Sequence, residues 1–212
     1  MFQDSGLSAA ALHRARSPWR GMRTEVIGGQ LLDISLEAAG SESVELANSV
    51  NRYKTAAYTI ERPLHLGAAI AGASEELIAA FRGYGHDIGI AYQLRDDQLG
   101  VFGDPAVTGK PAGDDLREGK RTELLALALQ RADESDPQAA ATLRKLIGHT
   151  SDPQELSRLA QIIADSGAPE EIERRIDALT QSGLQHLRAA QVDPTVTETL
   201  EQLAIKATAR RK

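Results

Sequence analysis

Apolar residues recur along this chain with the period of an α-helix, and this pattern limits the fold more than any other feature. The spacing i, i+3, i+4, i+7 occurs at Leu156, Leu159, Ala160 and Ile163. A second segment continues it with Ile172, Ile176 and Leu179. No stretch alternates apolar and polar residues in the way that predicts a half-buried strand. The sequence therefore predicts an all-α fold of roughly six to eight helices.

Residues that commonly begin helices precede several of these segments. Ser and Asp side chains accept hydrogen bonds from N–H groups of the first turn, and proline is tolerated there because its missing N–H would have no partner within the helix. Such residues occur at Ser17–Pro18, Ser74–Glu75, Asp136–Pro137, Asp152–Pro153, Pro169–Glu170–Glu171 and Asp193–Pro194. We expect a helix to begin at each of these places.

Composition excludes several classes of function. The chain has 212 residues, a formal net charge of -6 and no cysteine. An acidic chain does not suit non-specific nucleic-acid binding, which depends on neutralising phosphates, and without cysteine there is no disulfide framework. No run approaches the roughly 18 apolar residues of an integral membrane segment, and the first residues lack the pattern of a secretory signal. We expect a single domain in a soluble, cytoplasmic protein.

One segment interrupts the helical pattern. From Gly103 to Arg121 the sequence reads GDPAVTGKPAGDDLREGKR, so that glycine, proline and charged residues replace the apolar period. Glycine and proline disfavour helix, and a loop of this length inside a compact domain is usually functional or disordered. We interpret the segment as a loop without helix that is mobile in the absence of a ligand and ordered in its presence.

The helix that enters this loop contains several glycines and ends in two carboxylates. It is largely apolar from Phe81 to Asp97, where Asp96 and Asp97 are adjacent. Each interior glycine costs a helix about 1 kcal/mol relative to alanine, so several in one helix predict close packing against a neighbour. Residues four apart share a face of a helix, which places Gln93 beside Asp97.

Carboxylates and lysines are concentrated from the end of this helix through the loop. They are Asp96, Asp97, Asp104, Lys110, Asp114, Asp115 and Lys120. Magnesium is typically bound by one or two carboxylates together with substrate phosphate oxygens, and lysine adds a mobile positive charge. The cluster would suit a diphosphate–magnesium complex. The alternative is an acidic helix end that is simply solvated.

A nucleotide-binding phosphate loop is excluded. The glycine–lysine pairs at 109–110 and 119–120 lack the earlier glycine of the pattern G-x-x-x-x-G-K-[ST]. They also lack its final Ser or Thr, because Pro111 and Arg121 follow the lysines. The five histidines show no spacing typical of metal ligands.

The order of motifs around the aspartate pair resembles the second aspartate-rich region of trans-isoprenyl (polyprenyl) diphosphate synthases. The resemblance rests on the sequences YQLRDDQLG from Tyr92, VFGDP from Val101, TGKP from Thr108, GDDL from Gly113 and EGK from Glu118. Two earlier blocks agree with it, GQLLD from Gly29 and YKTA from Tyr53. It covers most of the chain and is strongest from Ser17 to Thr122.

The resemblance implies an isoprenoid-synthase bundle of helices around a central cavity. The reaction would be the Mg²⁺-dependent condensation of an allylic diphosphate with isopentenyl diphosphate. Asp96 would be the principal Mg²⁺ ligand, and Asp97 a second ligand or a water-mediated neighbour. Lys54 and Lys110 would contact the allylic diphosphate. The supporting residues would be Thr55, Gln93 and Lys120, with Gln30 and Asp33 lining the site.

The sequence departs from the family's pattern in two places. Gly100 stands where the motif Asp-Asp-x-x-Asp commonly ends, and Asp104, one turn further on, would compensate if the helix continued. No aspartate pair comes before Asp96, and the basic element that binds isopentenyl diphosphate in the family does not occur there either. The resemblance thus predicts that residues 1–212 are a truncated polyprenyl synthase domain. As a partial bundle, it would leave apolar residues of Leu31–Leu36 and Ile88–Leu99 partly exposed.

Two hypotheses for the function follow from the resemblance. The first is a prenyltransferase of isoprenoid biosynthesis that extends an allylic diphosphate by head-to-tail addition. The second is a non-catalytic remnant, or a subunit that associates with or regulates a complete synthase. We expect a homodimer or association with a complete synthase. A terpene cyclase fits less well, because the Asn/Ser/Glu metal motif of that class does not occur on a late helix.

Overall fold

The computed structural model describes residues 4–109, 111–190 and 192–209, with only the backbone described for Val107 and Thr108. Within these ranges the chain contains no β-strand, which confirms the predicted all-α fold. The helices are α1 (Ala9–Ala39), α2 (Val44–Val50), α3 (Arg62–Ala71), α4 (Glu75–Phe102), α5 (Pro105–Thr108), α6 (Asp114–Glu118), α7 (Glu123–Ser135), α8 (Pro137–Leu146), α9 (Pro153–Asp165), α10 (Ala168–Ala189) and α11 (Pro194–Thr208). A π-helical segment, Asn51–Glu61, joins α2 to α3 without a break. No helix in the described part of the chain is both long and apolar enough to cross a membrane.

Five of the six predicted helix starts are found in the structure. Side chains that accept a hydrogen bond from a first-turn N–H are those of Ser74, Asp136, Asp152 and Asp193. Pro169 lies in the first turn of α10, as its position in the sequence predicts. These local signals therefore set the starts of α4, α8, α9, α10 and α11.

The predicted helix start at Ser17–Pro18 is wrong. α1 begins earlier, at Ala9, where the Ser8 hydroxyl accepts a hydrogen bond from the backbone N–H of Ala11 (3.3 Å). Pro18 lies inside this helix and deprives it of one hydrogen bond. It is buried on the same face as Ala11 and Ala15, and packing of an apolar face outweighs local preference in most helices of folded proteins.

The segment from Gly103 to Arg121 is not free of helix, contrary to the prediction. Asp104 caps α5, with its carboxylate accepting a hydrogen bond from the N–H of Ala106 (2.8 Å), and Pro105 occupies the first turn. Proline is compatible with that position. The glycines lie at the ends of α5 and α6 with positive φ, where they stop or start a helix at little cost. The described residues form eleven α-helices, including these two short ones, which is more than the six to eight predicted from the sequence.

Helix α4 forms the centre of the fold, with α10 packed on one side and the π-helical segment on the other. Its glycines allow close contact, because a Cβ at Gly85 would lie 2.5 Å from the Cα of Glu61, and one at Gly89 would lie 2.5 Å from the Cα of Ala56. The close packing predicted from the glycine content is confirmed. Ile88 and Leu94 are each 1% exposed, so the expected exposure is wrong for most of this stretch, although Tyr92 and Leu99 are partly exposed. The helices on both sides cover it.

Helix α1 packs against the π-helical segment through Gly29, where a Cβ would lie 2.5 Å from the backbone nitrogen of Lys54. The outer face of α1 is different. Leu31 is 65% and Ile34 is 53% exposed, as predicted, whereas Leu36 is buried at 7%. The contact at Gly29 fixes the position of the last turns of α1 relative to the π-helical segment.

Two adjacent glycines of α1 provide a test of this packing. We expect Gly29→Ala to reduce the free energy of unfolding by about 1–3 kcal/mol, the usual cost of forcing extra atoms into a packed interface. Gly28→Ala is the matched control, because nothing lies within 4 Å of a Cβ there. It should instead stabilise by up to about 1 kcal/mol, since alanine favours helix. Urea unfolding followed by circular dichroism measures both, and equal effects would contradict the close approach.

Candidate active site

An ion pair joins the two helices that meet at Gly29. The ammonium group of Lys54, in the π-helical segment, donates a hydrogen bond to the carboxylate of Asp33 on α1. Both side chains are partly buried, with 37% and 23% exposed respectively. The sequence predicted both as site residues, and the structure brings them into direct contact.

A chain of hydrogen bonds links the π-helical segment to α4. The hydroxyl of Thr55 donates to the Oε1 atom of Gln93 (2.7 Å), and the Nε2 atom of Gln93 donates to Oδ1 of Asp97 (2.7 Å). The face shared by Gln93 and Asp97, which the spacing predicts, is therefore confirmed. Lys54 and Thr55 both lie in π-helical backbone, which occurs frequently at functional sites. The sequence analysis gave no indication of this geometry.

Asp97 is a buried carboxyl group with a strongly raised pKa. It is 4% exposed, and its Oδ2 atom is buried without a hydrogen-bond partner among the described residues. Burial raises the pKa of Asp97 to about 8, and the nearby charges of Asp115 and Asp96 add to this, whereas the hydrogen bond from Gln93 opposes it. In the ligand-free protein this carboxyl is therefore largely protonated at neutral pH.

The start of α6 contributes a carboxylate that the sequence analysis placed in the cluster of carboxylates and lysines but gave no role of its own. Asp115 is 5% exposed and forms an ion pair with Lys120. Burial lowers the pKa of Lys120, but its hydrogen bond to Asp115, together with the charges of Asp115, Glu118 and Asp97, raises the pKa above its ordinary value. Lys120 is thus held as an ammonium group whose charge acts on Asp97. The feature of the sequence that could have identified Asp115 is its place in the motif GDDL.

Acidic groups of α1 belong to the same electrostatic neighbourhood. Burial raises the pKa of Glu37, and the charge of Asp33 adds to this, while Lys54 and Lys120 act in the opposite direction. The end of α1, the π-helical segment, α4 and α6 therefore share one region of mixed charge. Such an arrangement suits a ligand that carries several negative charges together with a cation.

The other residues that the sequence predicted for the site lie in different environments or outside the described residues. Asp96 is half-buried on α4, immediately before Asp97, and Gln30 is exposed on α1. Lys110 lies outside the described residues. Asp104 does not extend the metal face of α4, because that helix ends at Phe102 and the exposed Asp104 instead caps α5. The compensation for Gly100 that was expected from Asp104 is therefore wrong.

The chain is similar to known proteins over most of its length. The sequence model of the polyprenyl synthetase family matches residues 17–165. A geranylfarnesyl diphosphate synthase from Aeropyrum pernix is 39% identical over 137 residues, which cover 62% of this chain and 42% of that protein. A geranylgeranyl diphosphate synthase from Mycobacterium tuberculosis is 40% identical over 113 residues, covering 53% of this chain and 32% of that one.

A solved structure agrees with these sequence relatives. The crystal structure of geranylgeranyl pyrophosphate synthase from Corynebacterium glutamicum, in complex with isoprenyl diphosphate and magnesium, superposes with a TM-score of 0.96 at 64% identity. The match covers 99% of this chain and 58% of that one. The chain thus spans less than two thirds of the length of each of these three relatives. Because the family model matches well over half of the sequence, this chain belongs to the polyprenyl synthetase family.

Proposed function

We propose that the chain carries the diphosphate–magnesium part of a prenyltransferase active site, which acts in the condensation of an allylic diphosphate with isopentenyl diphosphate. The observation that carries this proposal is the buried carboxyl group of Asp97, in a site that also holds Lys54 and Lys120. Within the described ranges, its Oδ2 atom has no hydrogen-bond partner. Named diphosphate synthases among the relatives support it, as does the Corynebacterium glutamicum structure with isoprenyl diphosphate and magnesium.

The carboxylates of the site fit magnesium on the condition that oxygens of the diphosphate also bind the ion. Asp96 and Asp97 offer hard carboxylate oxygens, which magnesium prefers, and the unpartnered Oδ2 of Asp97 is a buried acceptor available to a cation. Among the described residues no three His, Asp or Glu side chains are arranged to hold a metal ion by themselves. The ion would therefore need oxygens of the diphosphate to complete its shell, which is the usual way in which magnesium is bound with phosphate substrates.

The proposed reaction begins when the bond between the allylic carbon and the diphosphate oxygen breaks, giving a carbocation and a diphosphate anion. The double bond of isopentenyl diphosphate then forms the new carbon–carbon bond, and the adduct loses a proton. Magnesium, when bound, would neutralise charge on the leaving diphosphate. Lys54 and Lys120 would add ammonium groups for the same charge. Thr55 and Gln93 would hold the Asp97 carboxyl in one orientation before the ligand arrives.

A non-catalytic subunit is the second candidate, and one observation favours it. Helix α1 exposes an apolar stripe of three residues spaced along one side, Ile27, Leu31 and Ile34, at 67%, 65% and 53% exposure. Contiguous exposed apolar surface commonly marks a contact with another protein. Association with a second copy or with a complete synthase therefore remains a prediction. Light scattering of the purified chain measures self-association directly.

An assay of prenyl transfer separates the two candidates. The purified chain would be incubated with Mg²⁺, radiolabelled isopentenyl diphosphate and several allylic diphosphates, and the products separated by chain length. A prenyltransferase is expected to incorporate label in a magnesium-dependent manner. A subunit without activity would bind substrate or partner and incorporate none.

Substitution of Asp96 and the lysines tests the assignment of the site. Asp96→Ala is expected to abolish the dependence of allylic diphosphate binding on Mg²⁺, because it removes the principal carboxylate ligand. Lys54→Ala and Lys110→Ala should each weaken binding by about 1–3 kcal/mol, as for the loss of a charge-assisted contact. Calorimetric titration measures these effects. Asp104→Ala, which alters an exposed cap of α5, is the control and should bind normally; unchanged binding by all four variants would refute the assignment.

The raised pKa of Asp97 predicts how stability depends on pH. Between the ordinary pKa of 3.8 and about 8, the folded protein keeps this proton while the unfolded chain loses it. Because the unfolded state then binds fewer protons, stability should fall as pH rises through this window. Asp97→Asn has no carboxyl group at this position, so its stability should not fall with pH for this reason. The Tm of the variant minus the Tm of the parent should therefore grow between about pH 4 and about pH 8.

A second glutamine–aspartate pair supplies the control for this pH effect. Gln161 donates to Asp165 over the same spacing of four residues and the same distance, 2.7 Å, but on the protein surface. Asp165→Asn is the matched surface control, because it makes the same substitution in an exposed pair. Thermal unfolding of both variants at several pH values measures the difference, and parallel curves for the two would argue against a buried neutral Asp97.

A further inference from the structure

Helix α10 is bound to the end of α4 by a buried ion pair. The guanidinium group of Arg95, which is 4% exposed and directly precedes Asp96, donates two hydrogen bonds to the carboxylate of Glu173 on α10, one of them over 2.7 Å. The Nε atom of Arg95 also donates to the carbonyl oxygen of Thr208, at the end of α11 (2.8 Å). A two-point contact between guanidinium and carboxylate fixes orientation as well as distance. The last turns of α4 are therefore attached to both α10 and α11.

A second ion pair joins α10 to α7. Arg175 donates a hydrogen bond to the carboxylate of Glu123, the first residue of α7, which is 1% exposed. The other oxygen of this carboxylate accepts a hydrogen bond from the side chain of Asn48 on α2 (3.2 Å). Because Glu173 and Arg175 are two residues apart, they point to sides of α10 that differ by about 200°. One helix thus binds α4 on one side and α7 on another.

The two ion pairs stand at the two ends of one segment of the site. Helix α4 ends at Phe102 and α7 begins at Glu123, so the segment from Gly103 to Arg121 lies between the paired helices. The carboxyl group of Asp97 precedes this segment. The ammonium group of Lys120 lies near its end, and its charge acts on Asp97. Since α4 and α7 are both bound to α10, this helix sets the distance between the two sides of the site.

In each pair the buried partner belongs to α4 or α7, and the partner on α10 is partly exposed. The side chains of Arg95 and Glu173 are 5% and 36% exposed, and those of Glu123 and Arg175 are 1% and 35% exposed. A buried charge that loses its partner is strongly unfavourable, so neither α4 nor α7 can shift away from α10 without leaving one. Apolar residues of similar volume often stabilise a fold as well as a buried ion pair does. The two pairs therefore favour a role in geometry.

We propose that Glu173 and Arg175 are positioning residues, which fix the distance between the carboxyl groups of α4 and the ammonium group of Lys120. A diphosphate with its cation has to contact both sides of the site at once. A displacement of about 1 Å in such a site can cost about 100-fold in rate. Neither positioning residue would touch the ligand itself. The inference rests on the proposed function, because its ligand is the same allylic diphosphate with Mg²⁺.

Replacing each ion pair by two methionines separates position from stability. The two double variants are Arg95→Met with Glu173→Met, and Glu123→Met with Arg175→Met. We expect the Tm of each to stay within about 4 °C of the parent, because apolar residues of similar volume substitute well for a buried ion pair. Each should nevertheless bind geranyl S-thiolodiphosphate, an unreactive allylic analogue, about tenfold more weakly in the presence of Mg²⁺. Calorimetry measures the affinities.

A third ion pair of α10 supplies the matched control. Arg188 pairs with Glu201 on α11 (2.6 Å), away from both ends of the segment. Arg188→Met with Glu201→Met should therefore bind the analogue as the parent does. Glu173→Asp and Arg175→Lys keep the charges but shorten or simplify the contact, and they serve where a methionine pair does not fold. Each of these two single variants should also weaken binding.

A second measurement needs no ligand. The chain has no cysteine, so spin labels can be attached to Ala106→Cys and Glu118→Cys, at two exposed positions of the segment. Double electron–electron resonance then measures the distance between the labels. We expect this distance to shift, or its distribution to broaden, in both methionine pairs that contact α4 or α7. It should stay as in the parent in the control pair on α11.

The outcomes distinguish this inference from the proposed function. If the parent binds the analogue with Mg²⁺ and the two methionine pairs bind equally well, the inference is wrong and the proposed function stands. Weaker binding that accompanies a large fall in Tm, with unchanged label distances, would show a merely structural role and would also overturn it. If the parent itself shows no Mg²⁺-dependent binding, the proposed function fails. The label distances then still decide whether α10 fixes the two ends of the segment.

Discussion

Contact between the backbones of three helical segments is the constraint on which the site depends. At Gly29, Gly85 and Gly89 a Cβ would lie 2.5 Å from a backbone atom of the π-helical segment. No other residue fits such a distance, so α1 and α4 can approach this segment only where glycine occurs. Hydrogen bonds from Lys54 to Asp33 and from Thr55 to Gln93 join the helices near these contacts. The glycines thus set the spacing of the site, although none of them can bind a ligand through a side chain.

The charged groups of the site are paired in a way that leaves one buried acceptor, Oδ2 of Asp97, without a partner among the described residues. Lys54 is paired with Asp33 and Lys120 with Asp115, so each ammonium group has a carboxylate partner nearby in the fold. In the part of the chain that the structure describes, Asp97 accepts a side-chain hydrogen bond from the amide of Gln93 alone. An amide is neutral and cannot offset the desolvation of a carboxylate, which explains why the pKa of Asp97 rises to about 8. A cation that binds in the site would provide a partner for the carboxyl group of Asp97. Its binding would release the proton from that group.

The sequence predicted the all-α fold and the shared face of Gln93 and Asp97 because both depend on local signals. Helical periodicity, the cap residues and the glycines of α4 gave the all-α fold and the close packing, and spacing placed Gln93 beside Asp97. The errors came from features that depend on tertiary contact. Pro18 is accommodated by burial, and the π-helical backbone at Lys54 has no known local pattern. The burial of Ile88 was missed for the same reason, since only the fold reveals that α10 covers it. Of the predicted site residues, Lys110 alone falls outside the described part of the chain.

The glycines of α4 also show why a motif on one helix cannot be interpreted by itself. Gly85 and Gly89 accommodate backbone from a neighbouring segment, whereas Gly100 accommodates a carboxylate. By sequence these positions are alike, since each is a glycine in a helix interior or last turn. The residue tolerated at position 100 depends on Asp115, which lies outside the helix and beyond a loop.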